Sequence, residues 1–132
     1  MKFWLLLGAC RRSTLLCQAL LNPGDEVIMV TPNFFFDIPV ELASGTPVFV
    51  PISYEDNFKH DAERFREKIT NKTKMIVICS PHNPTGRVLT ENELKEIAKL
   101  AKEHDLLIMH DEVYDGFTFD GRNISHYYRS KM

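Results

Sequence analysis

Two short polar clusters contain the residues of this sequence whose types and spacing could do chemistry. The first cluster, residues 80–86, reads SPHNPTG and includes the amide of Asn83. The second cluster, DEVY, begins with the carboxylate of Asp111 and ends with the phenol of Tyr114. Simpler interpretations exist, because Asn-Pro and Thr-Gly pairs are common in turns and acidic residues are usually exposed. Asp111, however, directly follows the apolar run LLIMH, where a carboxylate is costly unless it is paired.

Alternating helical and strand patterns must position these clusters. Buried strands are predicted at residues 26–30, 46–50, 75–79 and 106–110. Helices are predicted at residues 10–21, 37–44 and 61–69, and after residue 90. This order predicts an α/β fold with a mostly parallel sheet and helices on both faces, an α/β/α sandwich. Both clusters follow buried strands, so they should lie at the same edge of the sheet, where ligands bind.

Helix ends and faces are also predicted from local residue types. Asp37 is expected to cap the second helix, with Pro39 tolerated in its first turn, and Asp61 is expected to open the third. Thr90 and Glu93 form a capping-box pattern before the fourth helix. The buried face of that helix is predicted to consist of Leu94, Ile97, Ala98 and Ala101.

Composition narrows the function classes. The 132 residues are 44% hydrophobic and carry a net charge of −2, which gives no electrostatic reason to bind nucleic acid or an anionic membrane. No apolar run approaches the ~20 residues of a membrane span, and the apolar run within residues 1–10 is too short for a secretion signal. The three cysteines lack metal-ligand spacing, which predicts free thiols, no metal site and a cytoplasmic location.

Taken together, the two clusters resemble the NPTG and DEVY signatures of the class I and II aminotransferases, which depend on pyridoxal 5′-phosphate (PLP). The likeness extends to NPGDEV at residues 22–27, to the aromatic Phe34 after Pro32, and to Gly8-Ala9-Cys10 before the first helix. It covers about residues 8–122. The resemblance implies that residues 1–132 form a single partial domain, an internal piece of the family's fold type I large domain.

The resemblance also implies a role for each matching residue. Asp111 would bond the protonated pyridine nitrogen of PLP, and Asn83 and Tyr114 would donate to its phenolic oxygen. Phe34 would lie against the ring face, although a core aromatic is the alternative. Backbone N–H groups of Ala9 and Cys10 would bind the phosphate at a helix N-terminus.

Other polar residues near the clusters have two possible roles each or none in the site. Cys10 and the following Arg11-Arg12 depart from the family pattern, and either arginine could assist an anion or be merely solvated. His82 and His110, which flank the clusters, are predicted either to support the site residues from behind or to pack in the core, rather than to act as bases. Glu112 is predicted to be structural or paired at the surface.

The implied activity is amino-group transfer from an amino acid to a 2-oxo acid, by an enzyme that forms a homodimer. In this family a lysine further along the chain binds PLP covalently. Lys131 arrives too early to be that imine lysine, so no residue here is predicted to be catalytic and the chain is expected to be an inactive, truncated piece. Two alternatives remain open: a PLP-dependent carbon–sulfur lyase of the same fold, and a non-catalytic remnant or partner protein.

Overall fold

A four-stranded parallel sheet organises residues 9–119, the part of the chain that the computed structural model describes. The strands are β1 (Glu26–Thr31), β2 (Thr46–Pro51), β3 (Thr73–Cys79) and β4 (Leu107–Asp111). The helices are α1 (Ala9–Leu20), α2 (Asp37–Leu42), α3 (Ala62–Arg66) and α4 (Glu91–Glu103). The strands lie in the order β2-β1-β3-β4, and all three pairs are parallel. The predicted element order and α/β fold are confirmed.

The sheet separates two hydrophobic cores because successive strand residues point to opposite faces. On β3, Ile76 and Ile78 join the core with α3 and α4. Met75, Val77 and Cys79 join the other core, with α1 and α2. All five are at most 3% exposed, as expected for a parallel strand that is covered on both faces. Burying each isoleucine stabilises the fold by about 1.5–3 kcal/mol.

The fourth helix begins as its sequence predicts. The Thr90 side chain accepts the Glu93 N–H, and the Glu93 carboxylate accepts the Thr90 N–H, which completes the capping box. The buried face differs from the prediction, because Leu100 and Glu93 are 1% and 5% exposed while Ala98 is only half-buried. Leu100 and Ala98 both fit the helical period, and the larger leucine side chain reaches the core.

Two helices are shorter than predicted. Asp61 caps α3 by accepting the Glu63 N–H, but α3 ends at Arg66 rather than at residue 69. After Arg66 the backbone hydrogen bonds span three residues instead of four, as in a 3₁₀ turn: the Lys68 N–H donates to the Phe65 carbonyl and the Ile69 N–H to the Arg66 carbonyl.

The predicted cap of α2 is wrong. Phe36 is the N-cap, and Asp37 is the first helical residue. Before the helix, the Phe36 N–H donates to the Asn33 side-chain oxygen at 3.1 Å. The helix ends at Leu42, and two residues later Ser44 takes a left-handed backbone, with φ 60°. Gly45 follows because a Cβ there would lie 3.0 Å from the Val40 side chain and 3.2 Å from a backbone oxygen.

Candidate active site

The two polar clusters meet at a cavity of about 140 Å³ at the carboxyl edge of the sheet. Its walls come from the segment after β1, the loop after β3, the turn after β4, and α1. The lining residues are Ser13, Phe34, Phe35, Phe36, Cys79, Asn83, Asp111, Val113 and Tyr114. The cavity therefore contains four of the six predicted site residues.

Asp111 reaches the cavity because of its register in the sheet. It is the last residue of β4 and is paired with Cys79 of β3. Paired residues of parallel strands point to the same face, so Asp111 lies on the α1 side of the sheet, as Cys79 does. Its backbone oxygen accepts the Ser80 N–H at 3.0 Å, and its carboxylate accepts the Val113 N–H at 3.0 Å. These bonds fix a half-buried carboxylate in the cavity wall.

Asn83 and Tyr114 are in direct contact across the cavity rim. The Asn83 Nδ2 donates to the Tyr114 hydroxyl at 3.1 Å, although the two residues are 31 positions apart. Tight turns hold the phenol in place: the Asp115 N–H bonds to Glu112 at 3.0 Å, and the Phe117 N–H bonds to Tyr114 at 2.9 Å. An amide and a phenol thus lie beside each other next to the carboxylate of Asp111.

The three consecutive phenylalanines divide between the cavity and the core. Phe34 is 51% exposed, so it is not a core aromatic; Phe36, at 7%, fills the core beside α1 and α2. Phe34 and Phe35 meet edge to face with ring centroids 4.4 Å apart. Phe35 has a left-handed backbone, with φ 64°, which is costly for a bulky residue. This turn presents the Phe34 ring to the cavity.

The predicted phosphate-binding residues lie at a helix N-terminus. Ala9 and Cys10 are the first two residues of α1, and the following Arg11 and Arg12 are exposed. Ser13, one turn further along the helix, is 7% exposed and lines the cavity. The sequence predictions missed Ser13, although helical periodicity places it on the same face as Ala9.

Cys79 is a neutral part of the cavity wall. Its thiol donates to the Pro81 carbonyl oxygen at 3.2 Å. Burial raises the pKa of this thiol to about 11, opposed by a backbone hydrogen bond from Asn83 and reinforced by the negative charge of Asp111. Cys79 therefore stays protonated near neutral pH. Cys79 and Cys17 were both predicted to be free thiols, and both are free and buried.

The two flanking histidines, His82 and His110, lie outside the cavity lining. His82 is 2% exposed and is not among the residues that line the cavity. His110 lies 3.2 Å from a Glu112 carboxylate oxygen, with side-chain exposures of 8% and 10%. Within residues 9–119, no group of three metal-ligating side chains is present, and no helix is long and apolar enough to cross a bilayer.

The cavity groups match the chemistry of a PLP ring. A carboxylate can accept a hydrogen bond from a protonated pyridine nitrogen, and an amide next to a phenol can bond a phenolic oxygen. An exposed aromatic ring, Phe34, offers a stacking surface. Asp111, Asn83 and Tyr114 all line the same cavity, as this interpretation requires.

Comparison with known proteins assigns the family. The family described as "Aminotransferase class I and II" matches residues 2–130. The chain belongs to the class I and II aminotransferases. Among curated members, it is 45% identical over 107 residues to the aspartate aminotransferase of Bacillus sp. (strain YM-2), covering 80% of this chain and 27% of that protein. It is 42% identical over 123 residues to the aspartate aminotransferase of Pyrococcus abyssi, covering 92% and 31%.

Solved structures of this family share the fold. The aromatic aminotransferase of Pyrococcus horikoshii superposes with a TM-score of 0.85 at 43% identity, over 91% of this chain and 33% of that one. The chain thus spans between 27% and 33% of the length of these aminotransferases. The predicted family and fold are confirmed.

Proposed function

We propose that this chain supplies the part of a PLP-dependent aminotransferase site that holds the cofactor ring. The complete enzyme would transfer an amino group from an amino acid to a 2-oxo acid. One observation carries the proposal: a carboxylate, an amide, a phenol and an exposed aromatic ring converge on one cavity from three separate segments. When bound, PLP would supply the electron sink for the reaction.

In this proposal Asp111 holds a proton on the pyridine nitrogen. A carboxylate favours the protonated ring through a charge-assisted hydrogen bond. The Val113 N–H that bonds one carboxylate oxygen fixes the direction of that interaction. Because its pKa is raised, the Cys79 thiol beside Asp111 stays neutral and adds no second negative charge there.

Asn83 and Tyr114 would bond the phenolic oxygen of the cofactor. Their separation of 3.1 Å allows both to reach one small acceptor. Hydrogen bonds to an oxyanion favour its charged form, so these two residues would tune the ring electronically. Phe34 would cover the ring face, a contact of about 1 kcal/mol beyond burial.

The first turn of α1 would bind the phosphate through the backbone N–H groups of Ala9 and Cys10. The helix N-terminus carries unsatisfied donors and a partial positive charge. Ser13, on the same face and in the cavity wall, places α1 next to the proposed ring site. No lysine lines the cavity within residues 9–119, so the covalent lysine of the complete enzyme would lie outside these residues. We further propose a cytoplasmic homodimer.

A ligand without an aldehyde tests the ring site directly. Pyridoxamine 5′-phosphate is fluorescent, has the same pyridine nitrogen and phenolic oxygen, and needs no lysine. We expect the chain to bind it, and Asp111→Ala to weaken binding by about ten- to a hundredfold, because a hydrogen bond between charged groups is lost. The measurement is a fluorescence titration, with cooperative thermal unfolding as the check on folding.

Glu41→Ala is the matched control. Glu41 is an exposed carboxylate of α2 that does not line the cavity. Its removal should leave the affinity unchanged. Equal affinities for the Asp111→Ala and native chains would remove Asp111 from the site.

A further inference from the structure

A cluster of buried and half-buried polar side chains lies behind the loop that carries Asn83, and the proposed function leaves it unexplained. We call it the loop anchor; its members are His60, His82, Thr85, Arg87 and Glu93. The rings of His60 and His82 are 0% and 2% exposed and meet edge to face, with centroids 5.3 Å apart. His60 also stacks on Phe65 of α3, at 6.4 Å.

His82 fixes the turn on both sides of Asn83. Its N–H donates to the Arg87 carbonyl at 2.8 Å, and its carbonyl accepts the Gly86 N–H at 2.7 Å. Its Nδ1 lies 2.8 Å from the Thr85 hydroxyl, which in turn accepts the Arg87 N–H at 3.3 Å. The residue next to Asn83 is therefore held through both its main chain and its side chain.

The rest of the loop anchor ties this turn to the body of the fold. Arg87 donates to the Asn57 carbonyl at 2.9 Å and to a Glu93 carboxylate oxygen at 2.8 Å. The same Glu93 oxygen accepts the His60 N–H at 3.2 Å. The turn is thereby linked to the segment before α3 and to the first turn of α4.

Stability alone does not account for two histidines in this position. The Nε2 atoms of His60 and His82 are buried and have no hydrogen-bond partner within the described residues, which costs free energy. Apolar side chains of similar size would fill the space without that penalty. The His60 Nδ1 is bonded to the Phe58 carbonyl at 3.2 Å, so this ring is fixed in orientation. Buried polar contacts of this kind specify one conformation.

We propose that His82, backed by His60, is a positioning residue that directs the Asn83 carboxamide toward the Tyr114 hydroxyl and the cavity. This inference rests on the proposed function, in which that carboxamide bonds the phenolic oxygen of the cofactor. His82 is not among the residues that line the cavity; it would act through the backbone that it shares with Asn83.

Two substitutions at one position test the proposal. His82→Leu removes the contact with Thr85, whereas His82→Asn keeps a polar atom close to the place of Nδ1. In the ligand-free chain, nuclear magnetic resonance follows the Asn83 side-chain amide and its contact with the Tyr114 ring. We expect His82→Leu to lose that contact and to bind pyridoxamine 5′-phosphate at least about tenfold more weakly, the loss of one hydrogen bond. His82→Asn should recover most of both signals.

Thermal unfolding separates positioning from folding. If His82→Leu does not unfold cooperatively, Thr85→Val replaces it, because valine keeps the shape of threonine and lacks only the hydroxyl; Thr85→Ser is then the matched variant that retains it. An unchanged Asn83 amide signal and unchanged affinity in the leucine or valine variant would overturn the proposal. Absence of ligand binding by the native chain would overturn the proposed function alone, since the amide signal would still decide the role of His82.

Discussion

At the residue scale, Cys79 shows how a neighbouring strand sets side-chain chemistry. The thiol lies opposite Asp111 in the sheet and lines the proposed ring site. It is only 3% exposed, and burial raises its pKa to about 11. Since the thiolate is the reactive form of cysteine, this thiol should be inert in the folded chain although it borders a cavity.

Alkylation measures that inertness. At pH 8, iodoacetamide should modify Cys79 in the folded chain at least about a hundred times more slowly than a free cysteine, because so little thiolate is present. Peptide mass spectrometry measures the extent of alkylation at each cysteine. The denatured chain is the control, in which Cys79 should react fully. Rapid modification of Cys79 in the folded chain would contradict its burial.

At the scale of elements, the first turn of α4 supports more than its own helix. Glu93 completes the capping box with Thr90 and also pairs with Arg87 at 2.8 Å, at side-chain exposures of 6% and 15%. Burial opposes ionisation of Glu93, but the hydrogen bonds from Thr90 and Arg87 outweigh it and lower its pKa. One carboxylate therefore joins the helix start, the loop after β3 and the segment at His60.

Glu93→Ala should consequently destabilise the chain by about 3–5 kcal/mol, because Arg87 would be left buried without its partner and the cap would be lost. Glu91→Ala is the control two residues away. Glu91 and its partner Lys95 are 59% and 51% exposed, so the loss should be less than about 1 kcal/mol. Urea unfolding of both variants gives the two free energies of unfolding. Similar values would show that the Glu93 interactions are weak.

Local patterns predicted most elements correctly, and the misses have physical causes. The apolar run of β3 and the capping box at Thr90 carry their signal within a few residues. The predicted cap of α2 was wrong because the helix starts one residue earlier: Phe36 is the N-cap and Asp37 lies inside the first turn. The Asn33 side chain accepts the Phe36 N–H and so stabilises the turn at this earlier start, which no pattern around Asp37 predicts. The contact between His60 and Glu93 spans 33 positions, and no local pattern encodes it.

The candidate site was predictable only in part. The shared location of Asn83, Asp111 and Tyr114 followed from the strand ends that they occupy, and the cavity that contains them agrees with it. The role of each residue came only from the family resemblance. Ser13 and Phe35 were missed: a serine within a helix has no distinctive pattern, and the left-handed backbone of Phe35 is unusual for its residue type.

At the scale of the whole molecule, the two buried histidines should make stability depend on pH. Burial lowers the pKa of both from 6.5 to about 4, and for His60 the charge of His82 acts in the same direction. The unfolded chain therefore takes up protons near pH 6.5, whereas the folded chain does so only near pH 4. The stability that comes from keeping these two histidines neutral is therefore fully present above about pH 6.5 and is lost as the pH falls toward 4.

For His60 alone, the free energy of unfolding should fall by about 3 kcal/mol between pH 6.5 and 4. His60→Phe removes the titrating group and keeps an aromatic ring beside Phe65. We expect the free energy of unfolding of this variant to fall less steeply between pH 6.5 and 4. The difference in slope should correspond to the uptake of about one proton fewer on unfolding. Urea unfolding at several pH values measures both slopes, and identical slopes would mean that His60 does not remain neutral in the fold.

The alternation along β4 makes the site sensitive to strand length. Met109 and Asp111 point toward α1, while Ile108 packs on the opposite face. Conservative replacements within the strand would leave this orientation intact. Deleting a single residue between positions 107 and 110 would instead move every later side chain to the other face, turning the aspartate away from the cavity and into the core against α4. Evolution can therefore vary the composition of this strand far more freely than its length.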